Sequence, residues 1–278
     1  MSRGVARPRA DPDTDPGTSA STSTSTATAT ATATAAPLLS TQSLSLHAAG
    51  RCLVRALDWQ VHAGERWCVI GRNASGKSTL LRALAGLGVP QRQGTVRWQG
   101  RGQGDWAAAD AAWARAYAPQ QSVDRFALSV QRLLELCTVR PALQSAASVL
   151  AALDAEGLAQ RGVMQLSGGE RQRVALAQCA LQGAPLMLMD EPVSFQDPAH
   201  QAQVARWLTQ LVAPGSAAAL VVTAHDVNWI ARTASHVLAL YGDGLWQAGP
   251  AAALLNAALL ERVYGCGWRE VGGFWVAV

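Results

Sequence analysis

The architecture of this chain follows from one loop, Gly71-Arg72-Asn73-Ala74-Ser75-Gly76-Lys77-Ser78. It matches the pattern G-x-x-x-x-G-K-[ST], whose glycines let the backbone wrap phosphate groups against the N-terminus of a helix. The match lies between a short apolar strand at residues 66–70 and a helical pattern that follows Thr79. A plain glycine turn can match by chance, but it would not need these neighbours. We therefore expect Lys77 to bind β- and γ-phosphate oxygens and the Ser78 hydroxyl to ligate Mg²⁺.

A second segment ends in two carboxylates. The continuous apolar stretch Leu186–Met189 reads as a buried strand and is followed by Asp190 and Glu191. Parallel sheets bind ligands at the C-terminal edge of their strands, so we expect Asp190 beside the Mg²⁺ and Glu191 one step further out. There, Glu191 can orient and deprotonate a water in line with the γ-phosphate. Without the phosphate loop, the two acidic residues would indicate only a solvated strand end.

The apolar, weakly charged composition could indicate a membrane protein, so we first tested whether any segment could span a bilayer. Hydrophobic residues make up 49% of the 278 residues and charged residues only 15%, below the ~25% of an ordinary soluble protein. The longest charge-free stretches, residues 174–189 and 207–224, contain Gln, Gly and Pro and would not span a bilayer. We expect a soluble or peripheral protein. A net charge of +4 is too small and scattered to indicate a nucleic-acid partner, and the five cysteines lack metal-site spacing.

The chain divides into a low-complexity part and a folded part. Residues 19–36 consist of alternating Ser/Thr and Ala/Thr and lack large apolar residues, which predicts that residues 1–37 form a disordered extension. A processed targeting peptide is the weaker alternative, because Asp11, Asp13 and Asp15 are acidic. From residue 38, strand patterns at residues 44–46, 57–61, 66–70, 94–98, 186–189 and 220–223 alternate with helical ones at about 122–165 and 169–181. This alternation predicts an α/β core with a parallel sheet.

Four further motifs carry a family resemblance. Leu166-Ser167-Gly168-Gly169-Glu170-Arg171-Gln172 resembles the signature motif of the ATP-binding-cassette (ABC) ATPases. Gln120 resembles the family's Q-loop glutamine, Asp197 its D-loop aspartate and His225 its switch histidine. Alone, the first would be a Ser-Gly-Gly turn capping a helix and the others surface or strand-end residues. Their order and spacing together identify the family, and the resemblance covers residues 38–278.

The resemblance implies a fold, a site and a cycle. The fold would be α/β: a P-loop NTPase ABC cassette with a RecA-like core, an antiparallel β subdomain and a helical signature subdomain at about residues 122–165. Two copies would face head to tail, and ATP would close the pair until hydrolysis releases it. The implied ATP-binding residues are Gly71, Arg72, Asn73, Ala74, Ser75, Gly76, Lys77, Ser78 and Thr79, with Ser167, Gly168, Gly169 and Asp197 acting on the other copy's ATP. The implied catalytic residues are Glu191, His225 and Gln120, and the implied Mg²⁺ ligands are Ser78, Gln120 and Asp190.

The sequence departs from the family pattern in three places. Residues 44–50 offer no aromatic side chain for adenine, with His47 as a partial substitute, which leaves base selectivity open. Gln178 stands near where relatives commonly have arginine, and Phe195-Gln196 replaces two small residues of the D-loop. None of these changes removes a catalytic group, although the last two can alter coupling in the dimer.

The resemblance is closest to cassettes of metal-chelate importers. A single cassette without membrane helices resembles a separate transporter subunit, and residues 197–201 and 225–228 resemble segments of cassettes that energise iron-siderophore, haem and cobalamin uptake. The implied partners are a second copy, membrane permease subunits and, indirectly, a periplasmic or surface solute-binding protein, with no nucleic acid. The implied location is the cytoplasmic face of the inner membrane. The alternatives are a cassette for another small solute or a regulatory ATP-binding switch with little turnover.

Overall fold

Strands and helices alternate along the chain, as the sequence predicts. The computed structural model describes residues 36–89, 91–121, 127–137 and 144–278. All of the expected extension but its last two residues lies outside this description, as do residues 122–126 and 138–143 of the expected helical region. The strands are β1 (Leu39–Ala48), β2 (Arg51–Val61), β3 (Arg66–Gly71), β4 (Arg92–Trp98), β5 (Arg101–Gly102), β6 (Arg115–Ala118), β7 (Leu186–Met189), β8 (Ala219–Thr223), β9 (His236–Leu240), β10 (Trp246–Pro250), β11 (Trp268–Val271) and β12 (Phe274–Ala277). The helices are α1 (Lys77–Leu84), α2 (Ala108–Ala114), α3 (Val130–Cys137), α4 (Ala146–Ala152), α5 (Gly168–Leu181), α6 (Pro198–Leu211), α7 (Val227–Thr233), α8 (Ala251–Leu254) and α9 (Ala257–Tyr264).

The main sheet confirms the predicted parallel α/β core. Its order is β10-β9-β3-β8-β7-β6, with five parallel strands and an antiparallel edge strand, β10. β3 lies between β8 and β9, which begin about 150 and about 170 residues later in the chain. Because the central strands run in one direction, the segments that follow β3, β7 and β8 meet at one edge of the sheet.

Each face of this sheet packs against its own hydrophobic core. Successive side chains of a strand point to opposite faces, so Trp67 and Val69 of β3 join one core while Cys68 and Ile70 join the other. The first core contains α1 and the antiparallel sheet, and the second contains α5, α6 and α7. Since β3 is buried on both sides, its C-terminal end is fixed from both faces.

The antiparallel sheet follows the order β2-β1-β4-β5 and confirms the expected antiparallel part of the fold. The predicted strands at residues 44–46 and 57–61 lie inside the longer strands β1 and β2. Trp98 at the end of β4 is buried against α1, where its Nε1 donates to the Leu84 carbonyl at 2.9 Å. This contact ties the antiparallel sheet to the helix that follows the phosphate loop.

The helical region consists of short pieces in its described parts. α3 and α4 are followed by two 3₁₀ turns, Glu156–Leu158 and Val163–Gln165, and all of them precede the long helix α5. α3 and α4 contribute Val130, Leu134, Val149 and Leu150 to the core that contains α5. No helix in the described ranges is long and apolar enough to cross a membrane.

Candidate functional site

The phosphate loop joins the end of β3 to the start of α1. Gly76, just before the helix, has a φ of 103°, and a Cβ placed there would lie 2.9 Å from Leu53 Cβ. Both the backbone conformation and the space therefore require glycine. The buried Lys77 turns back on the loop, where its Nζ donates to the carbonyls of Gly71 at 2.8 Å and Arg72 at 3.1 Å.

Ala74 occupies a second left-handed position in the same loop. Its φ is 60°, a region that L-residues adopt at a steric cost. The tight turn is closed by Ser75 N, which donates to the Arg72 carbonyl at 3.1 Å. Ala74 is exposed, so packing of its methyl group does little to offset the strain of the backbone.

Asp190 lies at the C-terminal edge of the sheet beside Ser78. The Ser78 hydroxyl donates to Asp190 Oδ1 at 3.2 Å, and the Thr223 hydroxyl donates to the same oxygen at 2.6 Å. Asp190 is only 3% exposed. A hydroxyl and a carboxylate that converge beside a phosphate loop offer the hard oxygen ligands that Mg²⁺ prefers, so these residues fit the ion.

Glu191 is held by three side chains around its carboxylate. Gln120 Nε2 and the Ser194 hydroxyl donate to Oε2 at 2.8 and 2.7 Å, and His225 Nε2 lies 2.8 Å from Oε1. Burial raises the pKa of Glu191, but the hydrogen bonds from Ser194 and His225 and the charges of His225 and Lys77 together outweigh it, and the pKa lies below its ordinary value. The carboxylate is therefore ionised at neutral pH and is ready to accept a proton.

A cavity of about 590 Å³ is lined by the phosphate loop, Glu191 and two of its partners, Gln120 and His225. Burial lowers the pKa of Lys77, while the charges of Glu191 and Asp190 counteract this shift. The lining of the cavity thus contains both a cation and an acceptor carboxylate. Its lining consists of Asn73, Ala74, Gly76, Lys77, Ser78, Thr79, Gln120, Glu191 and His225.

The signature segment forms the N-terminus of α5, as the sequence predicts. The Ser167 hydroxyl accepts from Glu170 N at 3.3 Å, and Glu170 Oε2 accepts from Ser167 N at 2.7 Å. This reciprocal capping box fixes the start of the helix. A Cβ placed on Gly169 would lie 3.0 Å from the Phe195 carbonyl oxygen, so the signature and the D-loop touch within one chain.

The signature residues and Asp197 do not line the cavity of their own chain, as far as the described residues extend. Asp197 instead caps α6, where its Oδ1 accepts from His200 N at 3.0 Å. His200 also links Asp197 Oδ2 and Asp154 Oδ2, at 2.8 and 3.2 Å from its two ring nitrogens. The structure therefore brings together the loop, Gln120, Asp190, Glu191 and His225, and leaves the signature and Asp197 on a separate surface.

Two residues of the site, Ser194 and Thr223, were not predicted from the sequence. Ser194 bonds the Glu191 carboxylate, and Thr223 bonds Asp190. Ser194 directly precedes the Phe195-Gln196 pair of the D-loop, and Thr223 is the one polar residue in the apolar strand β8, at its end. That polar ending, next to a strand that ends in carboxylates, is the signal that could have identified Thr223.

The fold and the site define a phosphate-loop nucleoside triphosphatase. The sequence profile of the ABC transporter family matches residues 54–194. Together with the relatives below, this match shows that the chain belongs to the ABC transporter family and is an ATP-binding cassette that hydrolyses ATP. The family expectation from the sequence is confirmed.

Two relatives and one structure illustrate the similarity. A hemin import ATP-binding protein of Streptomyces coelicolor is 36% identical over 235 residues, covering 82% of this chain and 83% of that protein. A vitamin B12 import ATP-binding protein of Escherichia coli is 35% identical over 226 residues, covering 77% of this chain and 88% of that protein. A proposed metal-chelate type ABC transporter in an inward-facing conformation has a TM-score of 0.70 at 23% identity, covering 87% of this chain and 98% of its own. The last comparison supports the cassette fold.

Proposed function

We propose that this chain is the ATP-hydrolysing subunit of an importer that takes up a metal chelate, such as haem, cobalamin or an iron-siderophore, through a separate permease. The support for hydrolysis is the Glu191 carboxylate, which three side chains hold in the lining of the cavity that also contains Lys77. The support for the solute is the similarity to the hemin import and vitamin B12 import ATP-binding proteins, at 36% and 35% identity.

In this proposal Glu191 is the general base. Its lowered pKa keeps it ionised, and Gln120 and Ser194 orient Oε2 while His225 contacts Oε1. The attacking water gives its proton to this carboxylate as it adds to the γ-phosphorus, and the bond to the ADP oxygen breaks. Lys77, which also lines the cavity, neutralises charge on the phosphates.

Ser78, Asp190 and Gln120 are the residues that would hold Mg²⁺. Ser78 and Asp190 are already 3.2 Å apart through their oxygens, which suits ligands that share one ion. The ion would supply charge neutralisation on the β- and γ-phosphate oxygens. The residues of the chain retain the tasks of binding the phosphates and of moving the proton.

The signature surface would act on a second copy. Ser167, Gly168 and Gly169 open α5, whose N-terminus carries partial positive charge. Because they do not line the cavity of their own chain, they are free to meet the γ-phosphate bound by a partner copy, with Asp197 nearby. The pair would lie against permease subunits on the cytoplasmic face of the inner membrane, and a solute-binding protein would deliver the chelate on the other side.

Substitution of the proposed base tests the mechanism. Glu191→Gln should lower the ATPase kcat of the full chain at least about 100-fold, since general bases contribute roughly 10²–10⁴, while a fluorescent ATP analogue still binds. Glu270→Gln, on the exposed strand β11, is the matched control and should retain wild-type turnover. Unchanged turnover in Glu191→Gln would contradict the proposed role.

Uptake measurements test the solute. In cells that lack the gene, the wild-type chain should restore uptake of labelled hemin or cobalamin, and Glu191→Gln should not. Restored uptake of an amino acid, with no effect on either chelate, would contradict the metal-chelate assignment while leaving the ATPase mechanism intact.

A further inference from the structure

One hydroxyl group connects the two carboxylate residues of the site. Thr223 Oγ1 donates to Asp190 Oδ1 at 2.6 Å and accepts from Glu191 N at 2.8 Å. Thr223 is fully buried, with 0% exposure, at the C-terminal end of β8. β7 and β8 pair with Met189 opposite Val222, so the next residues, 190 and 223, lie side by side.

The backbone of Glu191 depends on such contacts. Its φ is 50°, in the left-handed region that a residue other than glycine adopts at a cost. Its carbonyl accepts from Ser194 N at 3.1 Å and from Gln172 Nε2 at 3.4 Å, and its N–H has the Thr223 hydroxyl as its acceptor. These bonds hold a strained backbone in the conformation that directs the side chain toward Gln120, Ser194 and His225.

The two bonds of Thr223 form a directed chain. A hydroxyl has one proton, which Thr223 gives to Asp190, and its lone pairs then accept the Glu191 N–H. Hydrogen bonds in such a chain polarise one another, so each strengthens the other. Valine has the same shape as threonine but can make neither bond, and serine can make both.

We propose that Thr223 is a positioning residue for ATP hydrolysis: its hydroxyl fixes the Glu191 backbone relative to Asp190 and thereby places the general base. This inference rests on the proposed roles of Glu191 and Asp190. Lys77 and the phosphate loop are held by bonds that do not involve Thr223. Loss of the hydroxyl should therefore reduce turnover more than ATP binding.

The test compares four variants of the full chain in steady-state ATPase assays at saturating Mg²⁺. Thr223→Val should lower kcat about tenfold, which corresponds to about 1.4 kcal/mol in the barrier, with the KM for ATP within about twofold of wild type. Thr223→Ser should keep kcat within about twofold, and Thr223→Ala should behave like Thr223→Val. The matched control is Thr41→Val, which removes another buried strand hydroxyl, one that donates to the Leu57 carbonyl at 2.8 Å.

A structural role and a positioning role give different results. If Thr223 served only stability, Thr223→Val and Thr41→Val would both lower the Tm and leave kcat unchanged. Wild-type kcat in Thr223→Val would overturn the inference, as would a Thr223→Ser variant as slow as Thr223→Ala. Should Thr223→Val fail to fold, the comparison of Ser with Ala still isolates the hydroxyl. An active Glu191→Gln variant would instead contradict the proposed base.

Discussion

Replacing Ala74 with glycine should stabilise the chain, because glycine adopts the left-handed backbone of this position without steric cost. Ala74 has a φ of 60° and is exposed, so the substitution removes strain and loses little packing. The left-handed conformation costs an L-residue about 1–2 kcal/mol. The additional freedom of glycine in the unfolded chain offsets about 0.4–1 kcal/mol of that gain. The net stabilisation is about 0.5–1 kcal/mol, or about 2 °C in Tm for a domain of this size.

The assay is thermal unfolding without nucleotide, followed by far-UV circular dichroism at one protein concentration and scan rate. The matched control is Ala151→Gly, which lies on the exposed side of α4. A helical alanine should lose about 1 kcal/mol on the same substitution, so the two variants should shift the Tm in opposite directions. A lower Tm for Ala74→Gly than for the wild type would refute the assignment of strain to this loop.

Two further predictions concern acidity and packing. Burial alone would raise the pKa of Glu191, but its hydrogen bonds together with the charges of His225 and Lys77 hold that pKa below its ordinary value. The charge of Glu191 therefore stabilises the fold at neutral pH, and this contribution is lost as pH falls through the folded-state pKa. The difference in urea-unfolding free energy between wild type and Glu191→Gln should accordingly shrink below about pH 4.5, and a constant difference would contradict the shift. Trp98→Phe removes the bond to Leu84 from a ring that is 2% exposed, which should cost about 1–3 kcal/mol in a thermal or chemical unfolding experiment. Trp106→Phe, at a half-buried ring, should cost less, and equal losses would contradict the packing role of Trp98.

The elements predicted correctly are those whose sequence contains a strong local signal for one type of secondary structure. Leu186–Met189 is a strand with the predicted bounds, because four consecutive apolar residues lie between two cores. The helix predicted from residue 169 begins at Gly168, one residue earlier, because Ser167 and Glu170 form a capping box. Both elements carry their signal within a few residues of sequence.

Other features depend on contacts that no local pattern contains. The order of the sheet places β3 beside β8 and β9, far away in the chain. The hydroxyl of Thr223 meets Asp190 only because β7 and β8 are neighbours in register. The C-terminal hairpin β11–β12 has no strong alternation and is held by two hydrogen bonds between Asn228 and the Trp275 backbone. These features follow from the packed fold.

The position of the Lys77 ammonium has a consequence for ligand selection. Its Nζ already donates to two loop carbonyls, those of Gly71 and Arg72. The phosphate oxygens of a nucleotide must therefore compete with these carbonyl oxygens for the ammonium group. Binding is favoured only if the ligand carries enough negative charge to bind the ammonium group more strongly than the neutral carbonyls do. Nucleoside monophosphates and adenosine lack the β- and γ-phosphates that would compete for the lysine. We therefore expect the loop to favour ligands with more phosphate groups over ligands with fewer.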